Sequence, residues 1–187
     1  CNAGYILLGR LLEVLTGQDY FEVIRQHILA PSGMERAYFP TIDTVCEQLA
    51  EAYIAEDIGG VTQWRKCLST HLPPAPDGGL AAPAIELDRY WHALLGGQLL
   101  GAPLLEMMLT PQVPIREGRA YGLGVYLVSH ADGVIRYEAH GFDPGINAYI
   151  AHYPAPELNV IVLSNLDKAA SGVFHELHEL LVEHARS

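Results

Sequence analysis

Lysine is nearly missing from this sequence: Lys66 and Lys168 are the only two in 187 residues, so a mechanism built on a lysine base has few candidates. Cysteine is scarce and unpatterned. Cys1, Cys46 and Cys67 are odd in number and show no CxxC spacing, which argues against a zinc knuckle or a disulfide framework. Cys46 and Cys67 are expected to be small buried or half-buried residues. No apolar run reaches the roughly 18 residues that a membrane-spanning helix requires. No secretory leader pattern is visible, and no Gly-x-Ser-x-Gly elbow occurs. The net charge of −11 argues against a nucleic-acid footprint, which needs clustered Lys and Arg, and against an electrostatic membrane patch.

What is present suffices for a real core. Half of the residues are apolar and 18% are charged, the composition of one globular domain or of one large piece of a larger one. In the opening "CNAGYILLGRLLEVLTG", Leu8, Leu11, Leu12 and Leu15 recur with a helical period and Gly17 is a helix stop. "DYFEVIRQHILAPSGM" starts on the capping pair Asp19 and Glu22, carries Phe21, Ile24 and Ile28 at helical spacing, and ends at Pro31 and Gly33. The two segments predict a helical hairpin. Residues 40–80 are less regular: "EQLAEAYIAEDIGG" reads as a helical turn or a short strand, and "HLPPAPDGG" as a loop. Residues 84–95 are helical, with Leu87, Tyr90, Trp91 and Leu94 on one side, and "APLLEMMLTP" forms another short helix.

After Pro114 the period changes to two. "YGLGVYLVSH" alternates, "ADG" is a turn signal, and "VIRYEAHG", "INAYIAHYP" and "LNVIVLSN" follow as strands. The last is nearly all apolar and is expected to be central. Residues 168–185 close the chain as a helix with Val173, Leu177, Leu180 and Leu181 facing inward. The fold class is therefore α+β: a mainly helical part over residues 1–115, then an antiparallel meander of about four strands covered by a helix over 116–187.

"NAGYILLGRLLEVLTGQDYFEVIRQHILAPSGM" resembles the segment that follows the second catalytic motif in the serine β-lactamase-related family, which includes class C β-lactamases, penicillin-binding DD-peptidases and related esterases. The family's wording is Tyr-Ser-Asn or Tyr-Cys-Asn, a Gly-Tyr helix, then a Pro-x-Gly-Met turn, so Cys1-Asn2 would be the motif's last two letters. "DGGLAAPAIELDRYWHALLGGQLL", "YGLGVYLV" and "HGFDPGINAYIAHYPAPELNVIVLSN" resemble further family segments in the family's order. The likeness thus runs over nearly the whole chain. It implies a β-lactamase/transpeptidase-like fold, incomplete at its N-terminus, and acyl transfer to an amide or ester substrate without metal or cofactor.

Such chemistry needs a nucleophile, a base, an oxyanion hole and a substrate clamp. The family's Ser-x-x-Lys is absent from this sequence; Ser164 precedes Lys168 by one residue too many and matches nothing. The resemblance therefore implies the C-terminal part of a serine hydrolase, inactive alone. A catalytically degenerate ligand-binding or scaffold relative is the alternative.

On the matching positions, Asn2 would offer its amide to the substrate and the catalytic lysine, with an N-cap of the first helix as the structural reading. His140 and Gly141 fall where relatives carry Lys-Thr-Gly or His-x-Gly. There His140 would hold a substrate carboxylate or assist proton transfer, Gly141 would admit the substrate, and the Phe142 N–H would be an oxyanion donor. Two registers stay open. If Gly141 is the motif glycine, Ala139 takes the cationic place; if His140 takes it, Phe142 stands where glycine belongs. Tyr121 would line the cleft or pack. Asp143-Pro144-Gly145 is a tight turn. His175, His178 and Glu179 do not form H-E-x-x-H and are expected on the solvent side of their helix, so no metal site is assigned.

Cys1 allows three readings. An N-terminal nucleophile would open a strand, and a lipidated cysteine would precede a polar tether; "NAGYILLGRLL" offers neither, which leaves a cut through a longer chain. The expected partners are a small-molecule or peptide-like acyl or ester substrate and, through a face left open, a second copy of the chain. Location stays open between bacterial cytoplasm and cell envelope.

Overall fold

The computed structural model describes residues 1–41, 45–46, 48–67, 73–130 and 133–186, without the side chains of 183–186. The chain divides into two compact units, one of residues 1–49 and 71–105, the other of residues 50–70 and 106–187.

The first unit is helical. Helix α1 (Asn2–Thr16) ends on Gly17, whose left-handed φ of 69° lets its N–H reach the Glu13 carbonyl. Only Gly9 of α1 is buried, and glycine is required there because a Cβ would come within 2.2 Å of the Pro76 ring. The leucine stripe is instead open: Leu8, Leu11 and Leu15 are all exposed. Helix α2 (Tyr20–Ile24) is capped by Asp19, whose carboxylate accepts from the Phe21 N–H at 2.9 Å, and it continues as a π-helical segment over Arg25–Leu29. Glu22 does not turn back to the cap; its carboxylate takes Arg25, which holds its pKa down at about 2. Helix α3 (Ala84–Leu95) buries Trp91, Ala93 and Leu94. It also buries Glu86, whose two oxygens accept from the Arg36 N–H at 3.0 and 3.1 Å.

The second unit holds a β-hairpin and the main sheet, with helix α4 (Ala102–Met108) leading into it. Of the two readings of "EQLAEAYIAEDIGG", the strand holds: β1 (Tyr53–Ile58) pairs with β2 (Val61–Lys66) around Gly59-Gly60, both at positive φ. Glu47 lies outside the described residues. Six antiparallel strands make the main sheet in sequence order: β3 (Val113–Arg116), β4 (Arg119–Tyr121), β5 (Tyr126–His130), β6 (Gly133–Asp143), β7 (Ile146–Tyr153) and β8 (Leu158–Ser164). The expected four strands become six because β3 adds a strand ahead of "YGLGVYLVSH" and that segment is itself divided between β4 and β5. Tyr121 ends β4, Gly124 takes a φ of 87°, and Tyr126 pairs back on Tyr121. The expected "ADG" turn falls on residues 131 and 132, outside those described. Pro144-Gly145 does make the tight turn, with Asp143 paired to Ile146 and Gly145 at a φ of 78°.

Two expectations do not hold. The apolar "LNVIVLSN" is β8, the last strand of the described sheet rather than a central one, flanked by β7 and, through Leu166, bridged in parallel to Tyr53. Its apolar content reflects the closing helix α5 (Ala169–Arg186), which packs on β7 and β8. That helix is also rotated from the face expected. Ala170, Phe174, His178 and Leu181 turn inward at helical spacing, while Val173, Leu177 and Leu180 are exposed. His178 therefore does not face solvent. The helix turns this way because Phe174, fully buried, stacks on Tyr149 at 4.2 Å and His178 finds polar partners on the sheet. Asn147 pins the first turn of α5, its Oδ1 accepting from the Ser171 N–H at 2.8 Å and the Ser171 hydroxyl at 2.9 Å. The core of this unit is Tyr149, Ala151, Tyr153, Val160 and Phe174.

Candidate active site

Strand β6 carries the residues at the centre of the candidate site. Its pairing with β5 ends at Glu138 opposite Tyr126, whereas its pairing with β7 runs on to Asp143 opposite Ile146. Residues 139–143 therefore have a strand partner on one side and none on the other among the described residues. Their outward backbone groups form a free strand edge, able to take an extended ligand backbone. Gly141 sits in the middle of it. A Cβ there would meet nothing within 4 Å apart from its chain neighbours, so the sheet face over Gly141 is open. Beneath, the Asn147 amide donates to the Gly141 carbonyl at 3.0 Å and ties the edge to α5 through Ser171. Phe142, next along, is 58% exposed.

The alternation of a strand divides the candidate residues between two faces. Ala139 and Gly141 share one face. His140 lies on the other with Glu138 and Arg136, the face covered by α5. Its ring is stacked between Tyr126 and Tyr149, both at 4.9 Å, and Tyr121 meets Tyr126 edge-on at 4.7 Å. Arg119 lies over the Tyr126 ring at 4.5 Å and donates to His140 Nε2 at 3.0 Å.

That arginine belongs to a buried charge network. Glu138, 1% exposed, accepts from Arg119 Nη2 through Oε1 and from Arg136 Nε through Oε2, both at 2.7 Å. Arg136 also donates from Nη1 to His178 Nε2 at 3.0 Å, and His178 Nδ1 lies 3.0 Å from the Tyr153 hydroxyl. A guanidinium has donors only, so each imidazole must present a lone pair to its arginine and be neutral. The environment of the two rings favours the same neutral form. Burial, then the Arg119 charge, holds the His140 pKa below the usual 6.5, with Glu138 opposing. Burial, then Arg136, does the same for His178.

Asn2 belongs to the first unit, where it is the first residue of α1 and exposed; the N-cap position is taken by Cys1, which makes no side-chain cap. The structure thus gathers Tyr121, His140, Gly141 and Phe142 on or beside β6. Sequence reasoning missed Glu138 and the two arginines that neutralise it. The signal was present in "RYEAH", where Arg136, Glu138 and His140 alternate and must share a face, yet their partner Arg119 lies two strands away. Among the described residues no group of His, Cys, Asp or Glu could hold a metal ion, and no helix is long and apolar enough to cross a membrane.

Comparison with known proteins places this arrangement. The Beta-lactamase family model matches residues 1–183. A putative penicillin-binding protein PbpX of Bacillus subtilis is 25% identical over 96% of this chain and 44% of its own length. The crystal structure of a penicillin-binding protein from Bacillus halodurans superposes with a TM-score of 0.88 at 29% identity, over 96% of this chain and 54% of that one. A D-amino acid amidase from Ochrobactrum anthropi, at 22% identity, a TM-score of 0.78 and 57% of its length covered by the whole of this chain, shares the fold. The chain therefore spans about half the length of these relatives. The α+β fold is of the β-lactamase/transpeptidase type, and with a match over nearly all its residues the chain belongs to the β-lactamase family.

Proposed function

We propose that the chain forms one wall of the acyl-enzyme cleft of a serine hydrolase acting on an amide or ester. The observation that carries this is the free edge of β6 at residues 139–143, with open space over Gly141. In this reading the edge binds the substrate backbone, Gly141 admits it, and the Phe142 N–H receives the developing oxyanion. Asn2 offers its amide, and Tyr121 bounds the substrate-side end of the aromatic stack. His140, being neutral with its Nε2 lone pair engaged by Arg119, serves as a hydrogen-bonding group rather than as a cation or a proton acceptor. The nucleophile comes from a Ser-x-x-Lys segment that the 187 residues do not contain, so the chain alone is inactive. Relatives whose names describe penicillin binding and D-amino acid amidase activity support a small acyl substrate.

A degenerate ligand-binding relative is the second reading, and one observation favours it. Ala139, not a basic residue, shares the face of Gly141, while His140 points to the α5 side. A working hydrolase would then have to hold its substrate carboxylate by other groups.

Sequencing the gene upstream of Cys1 tests the first reading. A Tyr codon directly before Cys1 and Ser-x-x-Lys further upstream are expected; an upstream region without that motif sinks it. Cleavage of a chromogenic ester by the complete gene product separates hydrolase from degenerate relative. We infer further that a second copy covers the apolar positions that α1 leaves exposed, among them Leu7, Val14 and Leu15.

A further inference from the structure

We propose that the second unit carries an anion-binding cleft, lined by none of Asn2, Tyr121, His140, Gly141 or Phe142, for a small phosphate- or carboxylate-bearing ligand. Strand register places its arginines. Arg116 is opposite Arg119, Arg119 opposite Val128, and Val128 opposite Arg136, so three guanidinium stems stand in one row on one face of the sheet. The row borders an open cleft of about 670 Å³, which Glu117, Ser129 and His130 also line.

Arginines directly opposite each other on neighbouring strands repel, and a sequence bears that cost more readily where an anion offsets it. The hairpin leaves them little freedom. Arg116 and Arg119 flank the two-residue turn Glu117-Gly118, where Gly118 has a φ of 69° and a Cβ would meet the Ser129 carbonyl oxygen at 2.9 Å.

The charges inside the protein leave part of this row unsatisfied. Glu138 takes one Arg119 nitrogen and one Arg136 nitrogen. Arg119 Nε remains buried with no hydrogen-bond partner, and exposed Arg116 has no ion pair among the described residues. An unsatisfied buried donor is costly; an oxyanion at the cleft would meet exposed Arg116 directly through charge-assisted hydrogen bonds, and would satisfy Arg119 Nε once that side chain turns outward toward it. Exposed Glu117 at the rim works against an anion. So does the net charge of −11, so affinity must come from local contacts rather than long-range attraction. The cleft shares Arg119 with the candidate site, because that arginine also donates to His140, while its far wall at Arg136 is about 16 Å along the strand from Gly141 at the usual rise of a β-strand.

The test is titration of the whole chain with inorganic phosphate in one arm and acetate in the other. Ionic strength is held constant with sodium chloride, and the arginine Nε–H resonances are followed by NMR. Saturable shifts of Arg116 and Arg119 are expected, and the tighter arm names the ligand class. Arg116→Gln should weaken binding about tenfold, the loss of one charge-assisted contact. Glu117→Gln should tighten it. An unchanged unfolding midpoint of Arg116→Gln without anion verifies its fold. Absence of saturation in both arms, or binding by Arg116→Gln equal to that of the parent, overturns the proposal.

Discussion

Glu138→Gln is the most informative single change to the sheet. The substitution keeps the shape of the side chain and removes its charge. It also turns one acceptor into an amide donor, which must then face a guanidinium that can only donate. Two charge-assisted hydrogen bonds of 2.7 Å are lost or weakened. The side chains of Arg119 and Arg136 are only 20% and 9% exposed, so water screens little of the two charges left unpaired. Removing one partner of a buried ionic network costs about 3–5 kcal/mol, a large share of the roughly 5–15 kcal/mol that holds a domain together. With a urea m-value of about 2 kcal/mol/M, the denaturation midpoint should fall by about 1.5 M or more.

Two companion measurements probe the same network. Replacing it outright, with Arg119→Met, Arg136→Met and Glu138→Leu together, should cost less than Glu138→Gln alone, because no uncompensated charge remains. In Glu138→Gln itself the pKa values of His140 and His178 should both drop further by NMR titration, since Glu138 is the group that raises them. A loss of less than about 1 kcal/mol would refute the reasoning, because that is the range of solvent-screened surface pairs. A triple variant less stable than Glu138→Gln would refute it as well.

The same geometry makes stability depend on pH. The folded pKa values of His140 and His178 lie below the usual 6.5, so between those values and 6.5 the unfolded chain binds protons that the folded chain refuses. Stability should be fully present above about pH 6.5 and fall as pH drops through that window, with His178→Gln flattening the slope; a denaturation midpoint constant across the window argues against two neutral imidazoles. Leu7 and Leu15 of α1 are 71% and 72% exposed, so the chain should self-associate with rising concentration in sedimentation velocity, and Leu7→Asp with Leu15→Asp should abolish it. A chain monomeric at every concentration reached would rule out the second copy.

The sequence by itself determined where the helices and the strands β6 to β8 lie, because that information is local, but it left β1 open between turn and strand and did not show β2 or β3. Gly17 and Asp19 bound their helices by chemistry confined to one turn, and Pro144-Gly145 needs no distant partner to bend the chain. The order of motifs carried the family for the same reason: it is a property of the chain, not of its packing. Only the tertiary structure decided which face of each element is used. Helix α5 offers two apolar stripes, Val173-Leu177-Leu180 and Ala170-Phe174-Leu181, and periodicity cannot choose between them. The choice fell to Phe174 stacking on Tyr149 and to His178 meeting Arg136, contacts that span 25 and 42 residues of sequence. The same holds for β6. Its alternation puts His140 and Gly141 on opposite faces, but only pairing with β7 and the covering helix determine that His140 turns toward α5 and Gly141 toward open space. A side chain's period is written in its neighbours; what lies across from it is written only in the fold.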